Sequence, residues 1–276
     1  MSEQADYKEN RSNLPSAISL KEPLPKQLWL AFDTSTAQLT TALVRGDEVL
    51  GHVEEIAQQN HSIKLVPDIQ ALLEAHGVRI EDLQGIAAGY GPGSYTGVRI
   101  GVTVAKTLAW ALQLPLLGIS STEALAFGTA LERGLDESSA ETAEAAETSW
   151  IIPLINGRRG RAYTGLYAMN QGTWTPMLLD GIRPVSDWLK HLAQMQVETV
   201  PDRILLTGEI DVFQAEISDF EANNDMAKWE TAHAEIHAEH IARLAGYRSE
   251  QALSGDKVHD FVPNYTQVAE AEAKFN

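Results

Sequence analysis

LWLAFDTSTAQLTTALVRGDEVLGHVEEI, residues 28–56, contains three strand-like runs separated by short breaks. Leu28 to Phe32 is continuously apolar and ends in Asp33-Thr34-Ser35-Thr36. Leu39 to Val44 follows, and after the turn Arg45-Gly46-Asp47 comes Glu48 to Ile56. Runs this close, with a glycine in the turn, predict an antiparallel meander of three strands. The period then changes. Ser62 is placed to cap a helix in which Ile63, Val66, Ile69, Leu72 and Leu73 recur at helical spacing. Pro67 is tolerable in it only near the first turn. Gln84 to Tyr90 reads as a buried strand, Gly91-Pro92-Gly93-Ser94 as a loop, Gly97 to Leu112 as a helix and Leu116 to Ile119 as a strand. Ser120-Ser121-Thr122-Glu123 forms a capping box that opens another helix. A meander followed by alternating helices and strands predicts a mixed sheet covered by helices.

This order is similar to that of the ribonuclease-H-like unit of the actin, hexokinase and Hsp70 ATPase superfamily. The expected fold class is therefore α/β, an actin-like ATPase (ribonuclease-H-like) fold with mixed sheets flanked by helices in two lobes. Residues 1–26, polar and proline-containing, read as a flexible tail. An N-terminal domain is expected over 27–128, an acidic linker over 129–149 and a C-terminal domain over 150–262. In that second block, Trp150 to Ile155, Ala162 to Ala168, Thr173 to Leu179 and Arg203 to Leu206 read as strands. A helix is expected near Ser186 to Met195, and more helices between Ile210 and Leu244. The two blocks look alike in kind, without an internal sequence repeat.

The chain has 276 residues, no cysteine, and 38 Asp+Glu against 21 Lys+Arg, for a net charge of −17. The absence of cysteine excludes disulfides, thiolate zinc sites, iron–sulfur clusters and a cysteine nucleophile. The acidic balance opposes a body that grips a phosphate backbone alone, so a nucleic-acid role needs a local basic patch or a basic partner. No apolar run approaches the length of a membrane helix, and the N-terminus lacks a signal-peptide core. The expected location is cytoplasmic.

Four segments carry candidate chemistry. Asp33-Thr34 at a strand end, with Gly91, Gly93 and Ser94 in the later loop, are candidate phosphate or nucleotide contacts. Short side chains let backbone N–H groups approach phosphate oxygens, and the helix after the loop starts with free donors. The plainer alternative is a strand-end turn in which Asp33 accepts local hydrogen bonds. Gly93, Gly97, Gly101, Ala105 and Ala109 recur every four residues, giving a helix stripe with almost no side-chain bulk. It serves either a subunit interface or a tight intramolecular contact. His233, His237 and His240 would share one face of a helix, a geometry competent for a transition metal, or else simply a polar face. His61 reads as a residue at a helix start. Arg158-Arg159-Gly160-Arg161 is a basic island that suits phosphate or a partner's carboxylates, or is merely solvated. The loop fits neither the P-loop nor the dinucleotide fingerprint.

FDTST at 32–36, Asn60-His61-Ser62 with Leu65 and Pro67, GYGPGSYTGVRIGVTVAKTLA at 89–109, GISSTEALA at 118–126 and NGRRGRAYTGLY at 156–167 together resemble the TsaB (YeaZ) family. Pro263-Asn264-Tyr265 with Glu270-Ala271-Glu272 resembles that family's C-terminus. The chain departs from the pattern in its 1–26 tail, in the acidic stretch at 132–149 and at Thr266-Gln267. The resemblance implies a bacterial protein required for threonylcarbamoyladenosine formation in tRNA. It implies a non-catalytic platform that pairs with TsaD through the N-terminal domain and assembles with TsaE, and that dimerises with itself when alone. Nucleotide (ATP or ADP) would belong to the complex, and tRNA would be met through the complex. Residues 263–276 would rejoin the first domain. The related transferase TsaD carries a His-x3-His metal pair where this chain has Ser121 and Leu125, so no metal and no catalytic residue are expected. The expected interface comprises Ile63, Val66, Gly97, Val98, Gly101, Val102, Ala105 and Ala109. Competing readings are an actin-like-fold ATPase or small-molecule kinase using Asp33 and the Gly91–Gly97 loop, and a metal-dependent glycoprotease.

Overall fold

The computed structural model describes residues 14–57, 60–136 and 147–266. In chain order, a short strand β1 (Ile18–Ser19) precedes the meander β2 (Leu28–Asp33), β3 (Gln38–Arg45) and β4 (Glu48–Ile56). Then come α1 (His61–Ala75), β5 (Gly85–Gly89), α2 (Tyr95–Leu112), β6 (Leu116–Ile119) and α3 (Ser121–Glu132). The second half supplies β7 (Thr148–Asn156), β8 (Arg161–Asn170), β9 (Thr173–Pro184), α4 (Val185–Thr199), β10 (Arg203–Gly208), α5 (Gln214–Glu221), β11 (Trp229–His233) and α6 (Ala238–Tyr247). No helix among the described residues is long and apolar enough to cross a membrane.

The chain forms two compact units. The first comprises residues 23–124 with 235–265, and the second comprises 125–234 with the described residues up to 22 and Thr266. The first unit's sheet runs β4-β3-β2-β5-β6. The meander is antiparallel and β2, β5 and β6 are parallel, which is the ribonuclease-H-like order. β2 is central and wholly buried, as expected of a strand covered on both faces. Leu28, Leu30 and Phe32 on one face join a core cluster with Leu65 and Ile69 of α1 and Val98, Val102 and Ala105 of α2. β4, at the sheet edge, alternates in exposure.

The second unit repeats the topology. Its sheet runs β1-β9-β8-β7-β10-β11. Apart from β1 this is the same antiparallel meander followed by two parallel strands. Trp150, Ile152 and Leu154 of β7 pack with Trp188, Leu189 and Leu192 of α4 and with Ile217 and Phe220 of α5. The likeness in kind is thus a topological repeat that sequence identity does not carry.

Several expectations are corrected. The tail expected over 1–26 is ordered in part: Ile18 pairs with Trp174 across β1 and β9, and Leu24 is buried. Residues 1–13 lie outside the described residues. α1 starts after Asn60 rather than being capped by Ser62, and it contains Pro67 on its exposed side. The linker expected over 129–149 begins with the last turn of α3 and ends inside β7, while 137–146 lie outside the described residues.

The largest difference concerns the C-terminal domain expected over 150–262. The second unit ends at residue 234, and 235–265 belong to the first unit. There α6 packs against β2 and β3, its first N–H donating to Thr40 Oγ1 of β3 at 3.0 Å. Further on, Leu253 bridges to Leu116 at the outer edge of β6. The helices expected between Ile210 and Leu244 are interrupted by β11, because Trp229 to His233 pair in parallel with Ile204 to Gly208. Pairing across the sheet overrides the helical preference of an Ala/Glu-rich stretch.

Candidate functional site

Three segments meet at the C-terminal end of the first unit's parallel strands: Asp33–Thr36 after β2, Gly91–Ser94 after β5, and Ser120–Glu123 after β6. This is where ligands sit in open α/β sheets. Hydrogen bonds tie the segments together. Ser94 N–H donates to Ser35 O at 2.7 Å and Ser121 N–H to Gly91 O at 2.9 Å. Gly91 N–H reaches Ser121 Oγ at 3.2 Å. Ser94 caps α2 by accepting from Gly97 N–H at 3.3 Å, so the helix starts at Tyr95, two residues before its expected Gly97 start.

Asp33 lies at the centre and is 1 % exposed. Its Oδ2 accepts from Ser121 Oγ at 2.6 Å and its Oδ1 from the Ser35 N–H at 2.6 Å. Thr34 is fully buried, its hydroxyl donating to the Gly97 carbonyl at 2.8 Å. Both residues, candidate phosphate contacts with a strand-end turn as the plainer alternative, are sealed in the interior and occupied by local hydrogen bonds. Gly91 is likewise buried, Gly93 half-buried, and Ser94 exposed with its hydroxyl committed to the helix cap. The residues present do not fit a metal–phosphate unit held by the Asp33 carboxylate. His61 is the first residue of α1, as expected, and its side chain is buried.

The small-residue stripe closes this arrangement. A Cβ on Gly93 would lie 2.4 Å from Ser35 O, on Gly97 2.0 Å from Thr34 O, and on Gly101 2.5 Å from Thr34 Oγ1. The stripe therefore seats the chain's own Thr34-Ser35 turn. Gly97, Val98, Gly101, Val102, Ala105 and Ala109 are all buried within the unit, so the interface expected on them is corrected to an intramolecular contact. The two remaining expected interface residues stand apart: Ile63 is 66 % and Val66 52 % exposed on α1.

Burial is the main influence on Asp33 and pushes its pKa above the usual 3.8, while the hydrogen bonds from Ser121 and Ser35 and the nearby His61 oppose the rise. The folded protein therefore holds this proton more tightly than the unfolded chain. Its contribution to stability is full below the unfolded-state pKa and is lost as pH rises through the raised folded pKa. Asp33→Asn removes the term. The stability of this variant relative to wild type is expected to increase as pH rises from the ordinary carboxylate range upward. Urea unfolding midpoints of both proteins over that range would measure it, and a pH-independent difference would refute it.

The three histidines do not lie on one helix, although the rings of His237 and His240 meet edge to face at 6.0 Å. His233 ends β11, His237 precedes α6, and His240 lies buried inside α6. His237 Nδ1 instead meets Glu54 Oε1 of β4 at 2.5 Å. That hydrogen bond, ahead of the opposing effect of burial, lowers the pKa of Glu54. Among the described residues no group of three or more His, Asp or Glu side chains could hold a metal ion. Ser121 and Leu125, matched by resemblance to the histidine pair of TsaD, are a hydrogen-bonded hydroxyl and a buried apolar side chain. Sequence reasoning passed over the pairing of Glu123 with Arg248. Both are buried and joined by two bonds of 2.6 and 2.8 Å, and only the return of the chain brings them together.

The repeated topology, with a buried acidic residue at the end of the first strand, defines a protein of the actin-like ATPase fold class. A family model described as "TsaD: tRNA N6-adenosine threonylcarbamoyltransferase" matches residues 45–275. The tRNA threonylcarbamoyladenosine biosynthesis protein TsaB of Bacillus subtilis is 34 % identical over 246 residues, 89 % of this chain and 96 % of that one. Its Escherichia coli counterpart is 31 % identical over 52 % of this chain and 57 % of its own. A solved Pseudomonas aeruginosa protein, described as similar to peptidase YEAZ, superposes with a TM-score of 0.66. It is 24 % identical and covers 87 % of this chain and 100 % of its own. The chain belongs to the TsaB (YeaZ) family.

Proposed function

We propose that this protein is a non-catalytic assembly subunit in the formation of threonylcarbamoyladenosine in tRNA. It pairs with TsaD, works with TsaE, and supports transfer of the threonylcarbamoyl group to the adenosine beside the anticodon. The observation that carries this reading is the Asp33 turn. Its carboxylate is buried, each oxygen accepting one hydrogen bond, Oδ2 from Ser121 and Oδ1 from Ser35, and Gly97 and Gly101 of α2 pack directly on the adjoining Thr34. Nucleotide and tRNA are then handled by the complex, and the protein acts in the cytoplasm where tRNA is modified.

Pairing is assigned to α1. Ile63 and Val66 lie one turn apart and are exposed, and α2 packs alongside α1 with half-buried Ile100 and Val104. Burying such side chains drives association, and the same face serves self-association when TsaD is absent. Reconstitution of tRNA modification with TsaD, TsaE and the adenylate-forming enzyme, with and without this chain, tests the function. Modification should require the chain. Magnesium-dependent nucleotide turnover by the isolated protein, abolished by Asp33→Ala, would overturn it. Ile63→Glu with Val66→Glu is expected to leave the fold intact and to weaken association with TsaD at least about tenfold, since two charges would be desolvated at the contact. Unchanged association by ultracentrifugation would remove α1 from the interface.

A further inference from the structure

The hairpin between β7 and β8 is a basic tip on an acidic protein. Arg158, Arg159 and Arg161 stand within four residues of a chain whose net charge is −17. Arg158 and Arg159 are exposed and Arg161 partly so. Their backbone is held in an unusual form: Arg158, Arg159 and Gly160 have φ of 65°, 54° and 67°. Side chains with a Cβ rarely adopt this left-handed region, and asparagine or glycine would occupy it at lower cost. The turn is fixed from within. Arg158 N–H donates to Asn156 Oδ1 at 2.8 Å. Gly157 N–H reaches the Arg161 carbonyl at 2.8 Å, and Arg161 N–H the Arg158 carbonyl at 3.1 Å. The base is anchored by Val185 N–H donating to the Gly160 carbonyl at 3.0 Å.

The nearby carboxylates leave two of the three guanidiniums unpaired. Glu209 accepts from the Asn156 N–H, Glu216 lies beside Gly160, and Arg159 is engaged within the protein. Among the described residues neither Arg158 nor Arg161 has a carboxylate at ion-pair distance. The charges of Arg161 and Arg158 oppose the rise that burial imposes on the pKa of half-buried Tyr163. The tip is thus a pair of outward cations on a turn whose backbone is fixed by its own hydrogen bonds. The two units share a topology, and β7–β8 is the second unit's counterpart of the β2–β3 turn that holds Asp33. The first copy of this turn is sealed by its own chain, while the second is exposed and cationic.

We infer that the Arg158–Arg161 hairpin contacts the phosphodiester backbone of RNA, with Arg158 and Arg161 each meeting a phosphate. Guanidinium forks match phosphate oxygens in a bidentate way. The choice of RNA over an acidic protein surface rests on the tRNA reading above.

The test compares binding of a fluorescent tRNA anticodon stem-loop by wild type and by Arg158→Glu/Arg161→Glu, across a range of salt concentrations. The full chain is used both alone and mixed with TsaD. Lys64→Glu/Arg79→Glu controls for the same change of total charge on the other unit. The hairpin variant should lose at least about tenfold in affinity, and its salt slope should fall by about 2 relative to wild type, while the control keeps its slope. Arg158→Gln/Arg161→Gln should show the same slope change, which guards against loss of fold in the reversed variant. Equal affinity and slope in wild type and both hairpin variants would overturn the inference, as would wild type that fails to bind in either setting. Loss of TsaD association with RNA binding unchanged would assign the hairpin to a protein contact instead. If RNA binding depends on the hairpin while modification proceeds without the chain, the assembly role fails and this inference stands.

Discussion

Gly97→Ala is expected to destabilise the first unit by about 3 kcal/mol, lowering its melting temperature by about 10 °C. In an ordinary helix the same change stabilises by up to about 1 kcal/mol, because alanine has the higher helical propensity. The sign is therefore diagnostic. If the stripe faced solvent or a partner, the monomer would gain stability from the substitution. In this structure the new Cβ would lie 2.0 Å from the Thr34 carbonyl, and the obstacle is backbone that cannot swing aside. Relief requires moving the turn that holds Asp33. Gly97→Val should leave the unit unfolded. Gly101→Ala should cost less, about 1–2 kcal/mol, since it presses on the Thr34 hydroxyl, which can rotate away at the cost of its bond to Gly97. Chemical denaturation of the three variants gives the ranking. A stabilised Gly97→Ala protein would return the stripe to the interface role.

Arg248→Ala is expected to cost about 3–5 kcal/mol, because it strands the Glu123 carboxylate in the interior. The carboxylate of Glu123 and the guanidinium of Arg248 are 2 % and 6 % exposed as residues, and they form a two-pronged pair. Glu123 stands in the first turn of α3, its N–H donating to Ser120 Oγ at 3.1 Å. Arg248 lies just past α6. The pair thus fastens the returning segment to the strand–helix junction that also carries Ser121. A single truncation and a double replacement should differ sharply. Glu123→Leu with Arg248→Met keeps volume and removes both charges, so it should recover most of the loss. Measured unfolding free energies of the two singles and the double close the cycle. A cost under about 1 kcal/mol for Arg248→Ala would mean that the pair is hydrated and carries no such role.

Much of the first unit was legible locally. The runs at Leu28–Phe32, Leu39–Val44 and Glu48–Ile56 become β2, β3 and β4 within a residue or two, because a short chain folding back on itself needs only alternation and a turn. The Ser120 cap was legible for the same reason, since the hydroxyl and the N–H that it accepts from are three residues apart. β11 was not legible. Of its five residues only Trp229 and Thr231 favour strands, too few to mark one in an Ala/Glu-rich stretch, and they pair because β10 lies beside them. The three histidines spaced for a helix face were divided among a strand, a loop and α6 for that reason.

What the residues determined unaided was the periodicity, the turns and the absence of bulk at Gly93, Gly97 and Gly101. What they left open was the object that fills the absence. A missing side chain specifies close approach and is silent about the approaching surface, and here that surface is the Thr34-Ser35 turn, some sixty positions earlier in the chain. The same holds for Glu123 and Arg248, separated by 125 positions, and for α6, whose membership in the first unit follows from packing on β2 and β3. Local pattern is set by interactions within a few residues. Burial, pairing and the division into units depend on contacts that exist only once distant segments have been brought together.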